Sequence, residues 1–408
     1  MGGHGDARLR IAMIGCRGVP ARWGGVERHV EELGAELAGR GHEVTVFCRS
    51  NYSAAEGLRA YRGMRLAHLP TVGTKHMDAI VHSALATAAA MAGPFDLVHY
   101  HALGPGACAL LPRYLSAAKV VLTVHGLDDQ RAKWGSMGRI GLRAAGWLSA
   151  RVPDATIVVS RDLRRHYRER HHRPSVYVPN GVRAPLPAAT PERARRTLDR
   201  LGLEPGRYLL FVGRLVPEKA PDLLLRAFRH VEGDWRLALV GDSSFTQRYV
   251  RDLHRQAQDD GRVVLAGFHY GADLAELYLN ARAFALPSML EGMPLTLLEA
   301  AAHGAPVVAS AIPPHVEVLG GDGPGHRLVV AGEELALAAA LRQALADPAG
   351  EHAGAAALRE RVLATYCWRA TADATEEVYR WALERSRRGA ARDQPPALET
   401  RQDESGAA

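Results

Sequence analysis

The chain lacks any apolar run approaching the ~20 residues that a membrane-spanning helix requires, which excludes a helical integral membrane protein. Its start, Met1-Gly2-Gly3-His4-Gly5-Asp6, lacks the charged and then apolar layout of a secretory leader, so a cytoplasmic location is expected. Cysteine is scarce. Cys16, Cys48, Cys108 and Cys367 lie far apart and form no C-x-x-C, which argues against a zinc site and a disulfide framework alike. Asp128-Asp129 could suggest a metal, but no D-x-D occurs and no His or carboxylate cluster is expected to supply a shell, so no metal and no cofactor are expected. Neither G-x-G-x-x-G nor the lysine-containing phosphate loop is present, so no motif indicates a dinucleotide or ATP.

What is present fits a globular protein. Hydrophobic content of 47% with 23% charge is ordinary, and 408 residues suggest two domains, each able to bury a core. The net charge of +7 is uneven: residues 1–185 carry 25 Lys/Arg against 14 Asp/Glu, so +11, leaving −4 for the rest. A basic first half suggests an anionic partner, either lipid headgroups or nucleic acid.

Short apolar runs alternate with helix-length amphipathic stretches, the pattern of βαβ units around parallel sheets. Strands are expected at 9–14, 44–48, 96–100, 120–124 and 156–159, then at 208–212, 237–240, 263–265, 283–286 and 307–309. Pro179-Asn180-Gly181-Val182 and Ala184-Pro185-Leu186-Pro187 read as a turn and a non-helical linker. The reading is two doubly wound α/β domains, 1–183 and 184–366, with a cleft between them. A terminal helix over 367–386, marked by Val378, Trp381 and Ala382, is expected to return to the first domain. A polar tail over 387–408 is expected to be disordered.

Candidate chemistry falls where strands end. Glu291-Gly292-Met293-Pro294-Leu295-Thr296-Leu297-Leu298-Glu299 places two carboxylates eight positions apart. Pro294 suits the first turn of a helix, so Glu291 is expected on the preceding loop and Glu299 about one turn inside. Backbone N–H groups from Met293 and Leu295 onward would face an anion such as a pyrophosphate. Taken alone, the same spacing fits two solvated surface glutamates better than a site, and the context decides.

Gly213-Arg214-Leu215-Val216-Pro217-Glu218-Lys219 follows an apolar strand, and its guanidinium fork and ammonium suit a diphosphate. Gly24-Gly25 follows the first strand and permits close approach of backbone to a phosphate or sugar, or is a simple tight turn. His125-Gly126 ends another strand and can bond a substrate hydroxyl or carry a proton. His99 and His101 read as structural.

Together these residues resemble the retaining glycosyltransferases of the GT-B class grouped as family four. The E-x7-E element appears as Glu291 and Glu299, and G-R-x-x-x-x-K as Gly213-Arg214 to Lys219. Gly-Gly-x-Glu appears as Gly24 to Glu27, His-Gly as His125-Gly126, and Pro-Asn-Gly-Val as Pro179 to Val182. More narrowly, Arg17 to Gly25 and Cys48-Arg49-Ser50-Asn51-Tyr52 look like a bacterial subgroup that includes rhamnosyltransferases of surface-polysaccharide assembly.

The resemblance implies a GT-B architecture of two facing Rossmann-like domains, with a UDP, GDP or dTDP sugar as donor and a glycan or lipid-linked acceptor. It implies that Arg214 and Lys219 neutralise the diphosphate, Glu299 binds the ribose and Glu291 the sugar ring. Gly24 and Gly25 would approach phosphate and acceptor, His125 would bond the sugar near the reacting carbon, and Phe268 would line the base pocket. Metal-free front-face transfer with retention follows, the leaving phosphate helping to take the acceptor's proton.

The basic, Trp-containing stretch over 131–148 suggests an anionic inner-membrane face, or an ordinary core-packing helix. The cations between Arg161 and Arg173 read as a solvated helix, with no nucleic-acid partner. Competing readings are a related phosphorylase, a sugar-nucleotide epimerase, or a non-enzymatic basic lipid- or nucleic-acid-binding protein. Phosphate-dependent glucan cleavage, acceptor-free turnover and indifference to Glu291→Ala would respectively mark them.

Overall fold

The computed structural model describes residues 8–22, 24–52, 57–72, 77–127, 144–185, 191–242 and 246–385. Trp23, Asp128, Asp129, most of the basic Trp-containing stretch (131–143), Leu186 and Pro187 of the linker, and the tail from 386 lie outside the described residues. The chain divides into two compact units. One takes the chain to Asn180 and resumes at Trp368; the other runs Gly181–Cys367.

The first unit is built on β1 (Arg10–Ile14), β2 (Glu43–Arg49), β3 (Ala60–Tyr61), β4 (Met64–Leu69), β5 (Leu97–His101), β6 (Lys119–Val124), β7 (Ala155–Val158) and β8 (Val176–Tyr177). Their order is β3-β4-β2-β1-β5-β6-β7-β8, parallel throughout except for β3 against β4. Ile11 stands opposite both Val44 and Leu97. The central strands are nearly unbroken apolar runs because a parallel sheet is covered on both faces.

Val30, Leu33 and Leu37 on the helix Gly25–Gly39 are fully buried, each worth about 1.5–3 kcal/mol against exposure. The helix Trp368–Glu384 belongs to this unit and adds Ala372, Val378, Tyr379 and Ala382 to the same core. The helix Arg161–His171 is capped by Ser160, whose hydroxyl accepts from Leu163 N. It buries Leu163 and Tyr167 and turns most of its arginines outward.

The second unit holds β9 (Tyr208–Val212), β10 (Arg236–Val240), β11 (Val263–Gly267), β12 (Ala283–Leu286), β13 (Val307–Ser310) and β14 (His326–Val329) in the order β11-β10-β9-β12-β13-β14. All neighbouring pairs are parallel. The sequence reading misses β3, β4, β8 and β14. They are short, lie at a sheet edge or, for β4, lie next to the two-residue edge strand, where incomplete cover leaves room for Arg65, His68, His326 and Arg327.

Each sheet reverses its strand order once, between β1 and β5 in the first unit and between β9 and β12 in the second. Open α/β sheets bind ligands beyond the carboxyl ends of strands at such a point. The first switch point is packed to backbone contact, and in the second unit the same happens one strand away, between the ends of β9 and β10. A Cβ at Gly15, just after β1, would lie 2.2 Å from the His101 carbonyl oxygen, and one at Gly241, just after β10, would lie 2.0 Å from that of Gly213. Both glycines also hold positive φ, +123° and +131°.

Candidate functional site

In the second unit the candidate residues gather beyond β9, β12 and β13. After β9 the chain turns through Gly213 and Arg214 into a short 3-10 turn, Pro217–Lys219. A Cβ on Gly213 would press within 2.8 Å of the Lys219 side chain, so this glycine lets the lysine fold back over the strand end. Lys219 Nζ donates to Glu291 Oε1 at 2.6 Å, and Ser288 Oγ donates to the same oxygen at 2.8 Å. Both bonds converge on Oε1. Met289 N donates to the Glu218 carbonyl at 2.8 Å and ties the two loops together.

Burial alone would raise the Glu291 pKa, but the Lys219 charge, with the bonds from Lys219 and Ser288, outweighs it and holds the carboxyl below its ordinary value. Behind this pair His315 is fully buried and bonds the Ser310 carbonyl at 2.8 Å. Burial pulls its pKa down to about 4 against the Glu291 charge, so it stays neutral.

The helix after Glu291 runs Leu295–Ala302, and Pro294 is its cap with extended backbone (φ −76°, ψ 112°). The expectation that Pro294 occupies the first helical turn is off by one residue. Pro294 still supplies the carbonyl that accepts from Leu297 and Leu298, and having no N–H it leaves no donor orphaned. No side chain caps this N-terminus, and Gly292 and Met293 are buried at its approach.

Glu299 lies one turn in and accepts from the Tyr278 hydroxyl at 3.2 Å; Tyr278 stacks on His303, their ring centroids 5.1 Å apart. Burial, reinforced by the Glu299 charge, pushes the Tyr278 pKa well up, so it remains a donor. Arg214 reaches Glu218 at 3.8 Å across a half-open surface. Phe268, half exposed just beyond β11, stacks on Tyr270 at 5.9 Å. The fold thus brings Lys219 and Glu291 together directly, and holds Glu299 on separate partners.

In the first unit Gly24 caps the helix Gly25–Gly39. The loop before it is held from below: Arg17 N donates to Glu27 at 3.1 Å and Ala21 N donates to Glu31. Glu31 and Glu32 are buried, with Arg62 bonded to them at 3.2 and 3.0 Å. Sequence reasoning missed this cluster; the run Glu31-Glu32 on an otherwise buried helix face was its only signal. The two stretches of the narrower subgroup resemblance meet in space: Arg49 N donates to the Arg17 carbonyl at 2.7 Å, and both guanidinium groups lie over the Tyr52 ring.

His125 follows β6, and its Nε2 lies 3.3 Å from Nδ1 of His101 at the end of β5. His29, from the helix Gly25–Gly39, has its ring centroid 4.6 Å from that of His125 and 5.4 Å from that of His101. One nitrogen from each of the three lies within 4.8 Å of the others. The expectation that no histidine cluster exists is overturned, because the helix and two strand ends converge at the switch point. His101, read as structural, touches His125.

Burial lowers the His29 pKa to about 4 against the bond to Asn180. Burial, with its histidine neighbours, lowers His101 well below 6.5. His99, beneath them, bonds Tyr379 at 2.6 Å and Thr123 at 2.7 Å and is pulled by burial to about 3.

The comparisons agree with this plan. Residues 206–347 match the family described as "Glycosyl transferases group 1", and residues 23–184 match "Glycosyltransferase Family 4". The chain is 32% identical to a D-inositol 3-phosphate glycosyltransferase of Kineococcus radiotolerans, covering 88% of this chain and 91% of that protein. It is 30% identical to a GDP-mannose-dependent alpha-(1-6)-phosphatidylinositol monomannoside mannosyltransferase of Mycolicibacterium smegmatis, covering 86% and 93%. Among solved structures, sucrose-phosphate synthase from Thermosynechococcus elongatus aligns with TM-score 0.80 at 25% identity over 92% of this chain and 99% of that one. Anabaena Alr3699/HepE in complex with UDP and glucose aligns with TM-score 0.76 at 19% identity, over 91% of this chain and 99% of that one, a likeness of fold.

Two doubly wound parallel-sheet Rossmann-like units define a GT-B glycosyltransferase. The chain belongs to the glycosyltransferase group 1 and family 4 proteins.

Proposed function

We propose that this glycosyltransferase moves a sugar from a nucleoside diphosphate to a hydroxyl acceptor with retained anomeric configuration and without a metal. The observation that carries the reading is the Lys219–Glu291 pair beside an uncapped helix start at the end of β12. A departing diphosphate needs fixed positive charge where its own charge develops, and Arg214, Lys219 and the Leu295–Ala302 N-terminus supply it without a Lewis acid.

The half-bonded carboxylate of Glu291 accepts a sugar hydroxyl through Oε2, and Glu299 accepts from the ribose. His125 bonds the sugar near the reacting carbon, with Gly24 and Gly25 approaching phosphate and acceptor and Phe268 lining the base. Because Glu291 is held as a carboxylate by Lys219 and Ser288, its basicity serves binding more than nucleophilic attack. The acceptor attacks on the face from which the phosphate leaves, and a phosphate oxygen takes its proton.

The donor named for one relative and the ligands of similar structures include GDP-mannose, UDP-glucose and ADP, so the choice among UDP, GDP and dTDP is left to assay. The meeting of Arg17, Arg49 and Tyr52 favours an acceptor of surface-polysaccharide assembly, as in the resembling subgroup. Presentation of that acceptor at a cytoplasmic membrane face is supported by the exposed Leu110, Leu111, Tyr114 and Leu115 of one short helix, and by exposed Trp147 with Arg151 over its ring. No helix among the described residues is long and apolar enough to cross a membrane.

The test is product stereochemistry. Incubation with α-linked UDP, GDP and dTDP sugars and a panel of lipid-linked and soluble acceptors, with EDTA present, should yield an α-linked product by NMR. A β-linked product, or activity that EDTA abolishes, would contradict the reading, and a trapped glycosyl adduct on Glu291 would refute the front-face route.

A further inference from the structure

We propose that His29, His101 and His125 form a three-imidazole site that takes up a divalent transition metal, zinc above all, and that an occupied site inhibits sugar transfer by claiming His125. The inhibition rests on the role proposed for His125; the metal site itself does not.

The geometry comes from three elements of one unit. His101 Nδ1 and His125 Nε2 are 3.3 Å apart. Two zinc–imidazole bonds of about 2.0–2.1 Å at a tetrahedral angle separate their nitrogens by about 3.3–3.4 Å, so this pair already has the bite of a zinc chelate. One nitrogen from each of His29, His101 and His125 lies within 4.8 Å of the other two.

The tautomer of His29 is fixed by its neighbour. Its Nδ1 lies 2.8 Å from Asn180 Oδ1, an oxygen that only accepts, so Nδ1 carries the proton and Nε2 presents a lone pair. That Nε2 is buried without a hydrogen-bond partner, and so is Nε2 of His101. Buried polar atoms are seldom left unpaired, since each costs about 1–3 kcal/mol. A metal ion resolves the His29 orphan directly.

The donor set selects the ion. Three imidazoles with no carboxylate suit Zn²⁺, Ni²⁺ or Cu²⁺ and offer little to Mg²⁺ or Ca²⁺. His125 is partly exposed and gives the route of entry, while Trp368 walls the far side with its ring 5.5 Å from His29. A zinc bound here occupies a nitrogen of His125, so it acts against transfer and not as its cofactor.

The test uses the untagged full chain. Cobalt is added as the probe and read by visible absorption, with zinc affinity measured by calorimetric titration. One equivalent bound at micromolar affinity or tighter, with the intense bands of a four- or five-coordinate cobalt site, is expected. His29→Ala should lose this binding, and exposed His172→Ala should keep it; a circular-dichroism melt establishes that each variant is folded. Absence of such bands in the unaltered chain, which needs no variant, or equal binding by folded His29→Ala, overturns the site.

In the transfer assay, zinc at ten times its dissociation constant should lower kcat/KM at least tenfold in the unaltered chain. It should leave His29→Ala at its own metal-free rate, and Mg²⁺ should do nothing to either. Zinc binding with full activity overturns the inhibition. If no donor supports transfer at all, the glycosyltransfer reading fails while the cobalt titration still decides the metal site.

Discussion

The two units share a plan and differ in what they bury at the switch point. Each reverses its strand order once, and each presses a positive-φ glycine at a strand end against a neighbouring carbonyl, Gly15 on His101 at the reversal of the first sheet and Gly241 on Gly213 between β10 and β9 of the second. Beyond that point the first unit packs imidazoles kept neutral by burial: His29, His99 and His101, with His82 at about 4 nearby on the helix Met77–Ala92. The second unit packs an ion pair, Lys219 with Glu291, and a carboxylate hydrogen-bonded to a tyrosine. One backbone scheme therefore supports two electrostatic settings. A neutral, hydrogen-bonding wall suits sugar hydroxyls, and a charged one suits a diphosphate.

The largest effect that sharpens this contrast is expected from Lys219→Ala. Removing the charge proposed to face the leaving group should cost about 10²–10³ in kcat/KM, on the scale of one lost charge-stabilising donor. It should also relax the Glu291 pKa upward, because burial then acts without its counterweight. Kinetics with saturating acceptor check the first, and a pH profile of donor binding the second.

The glycine pair comes next and probes what the units have in common. Gly15→Ala and Gly241→Ala should each destabilise by about 3 kcal/mol, from positive-φ strain together with a Cβ forced onto backbone. Denaturant unfolding of each variant measures this, and equal losses would mark the two strand-end contacts as structurally equivalent.

Acid should then separate the units. A histidine whose folded pKa is depressed binds its proton in the unfolded chain first. Stability is therefore whole above pH 6.5 and falls as the pH drops toward about 4. The slope is at most about 1.4 kcal/mol per pH unit for each such histidine. The first unit holds His29, His82, His99 and His101, and the second holds His315 as the corresponding fully buried ring. Hydrogen exchange followed from pH 7 to pH 4.5 should show protection lost earlier in β1, β5 and β6 than in β9, β12 and β13. Glu291, depressed from 4.5, contributes stability that is lost only as the pH falls further.

The smallest effect compares two buried tyrosines. Tyr379→Phe removes a bond to neutral His99, and Tyr278→Phe removes one to charged Glu299. Losses of about 1 kcal/mol for the first and about 1.5–3 kcal/mol for the second are expected from thermal unfolding, less whatever water recovers at part-exposed Glu299.

Much of this was legible before the fold was known. Glu291, Pro294 and Glu299 announce a loop and a helix start, because proline and the following apolar spacing constrain the backbone locally. Lys219 carried a signal that was not used: the chain has four lysines among 51 Lys and Arg, so a lysine on a strand-end loop stands out where arginine is the default cation. The long central strands were legible because two covered faces demand unbroken apolar runs.

What stayed hidden depends on distance along the chain. His29, His101 and His125 meet only because β1, β5 and β6 are neighbours across the switch point, and no local spacing encodes that. Arg62 over Glu31 and Glu32 is hidden in the same way. The outlying strands β4 and β14 are hidden because their polar residues mask the pattern.

The most direct measurement of the central claim, that the second unit's charged wall binds a nucleoside diphosphate, is a thermal-shift titration of UDP, GDP and dTDP with the unaltered chain and with Arg214→Ala. One nucleotide at a hundred times its dissociation constant should stabilise the chain by about 2.7 kcal/mol, raising the melting temperature by several degrees, and Arg214→Ala should need a much higher concentration for the same rise. No rise with any of the three, or an identical rise in Arg214→Ala, would contradict it.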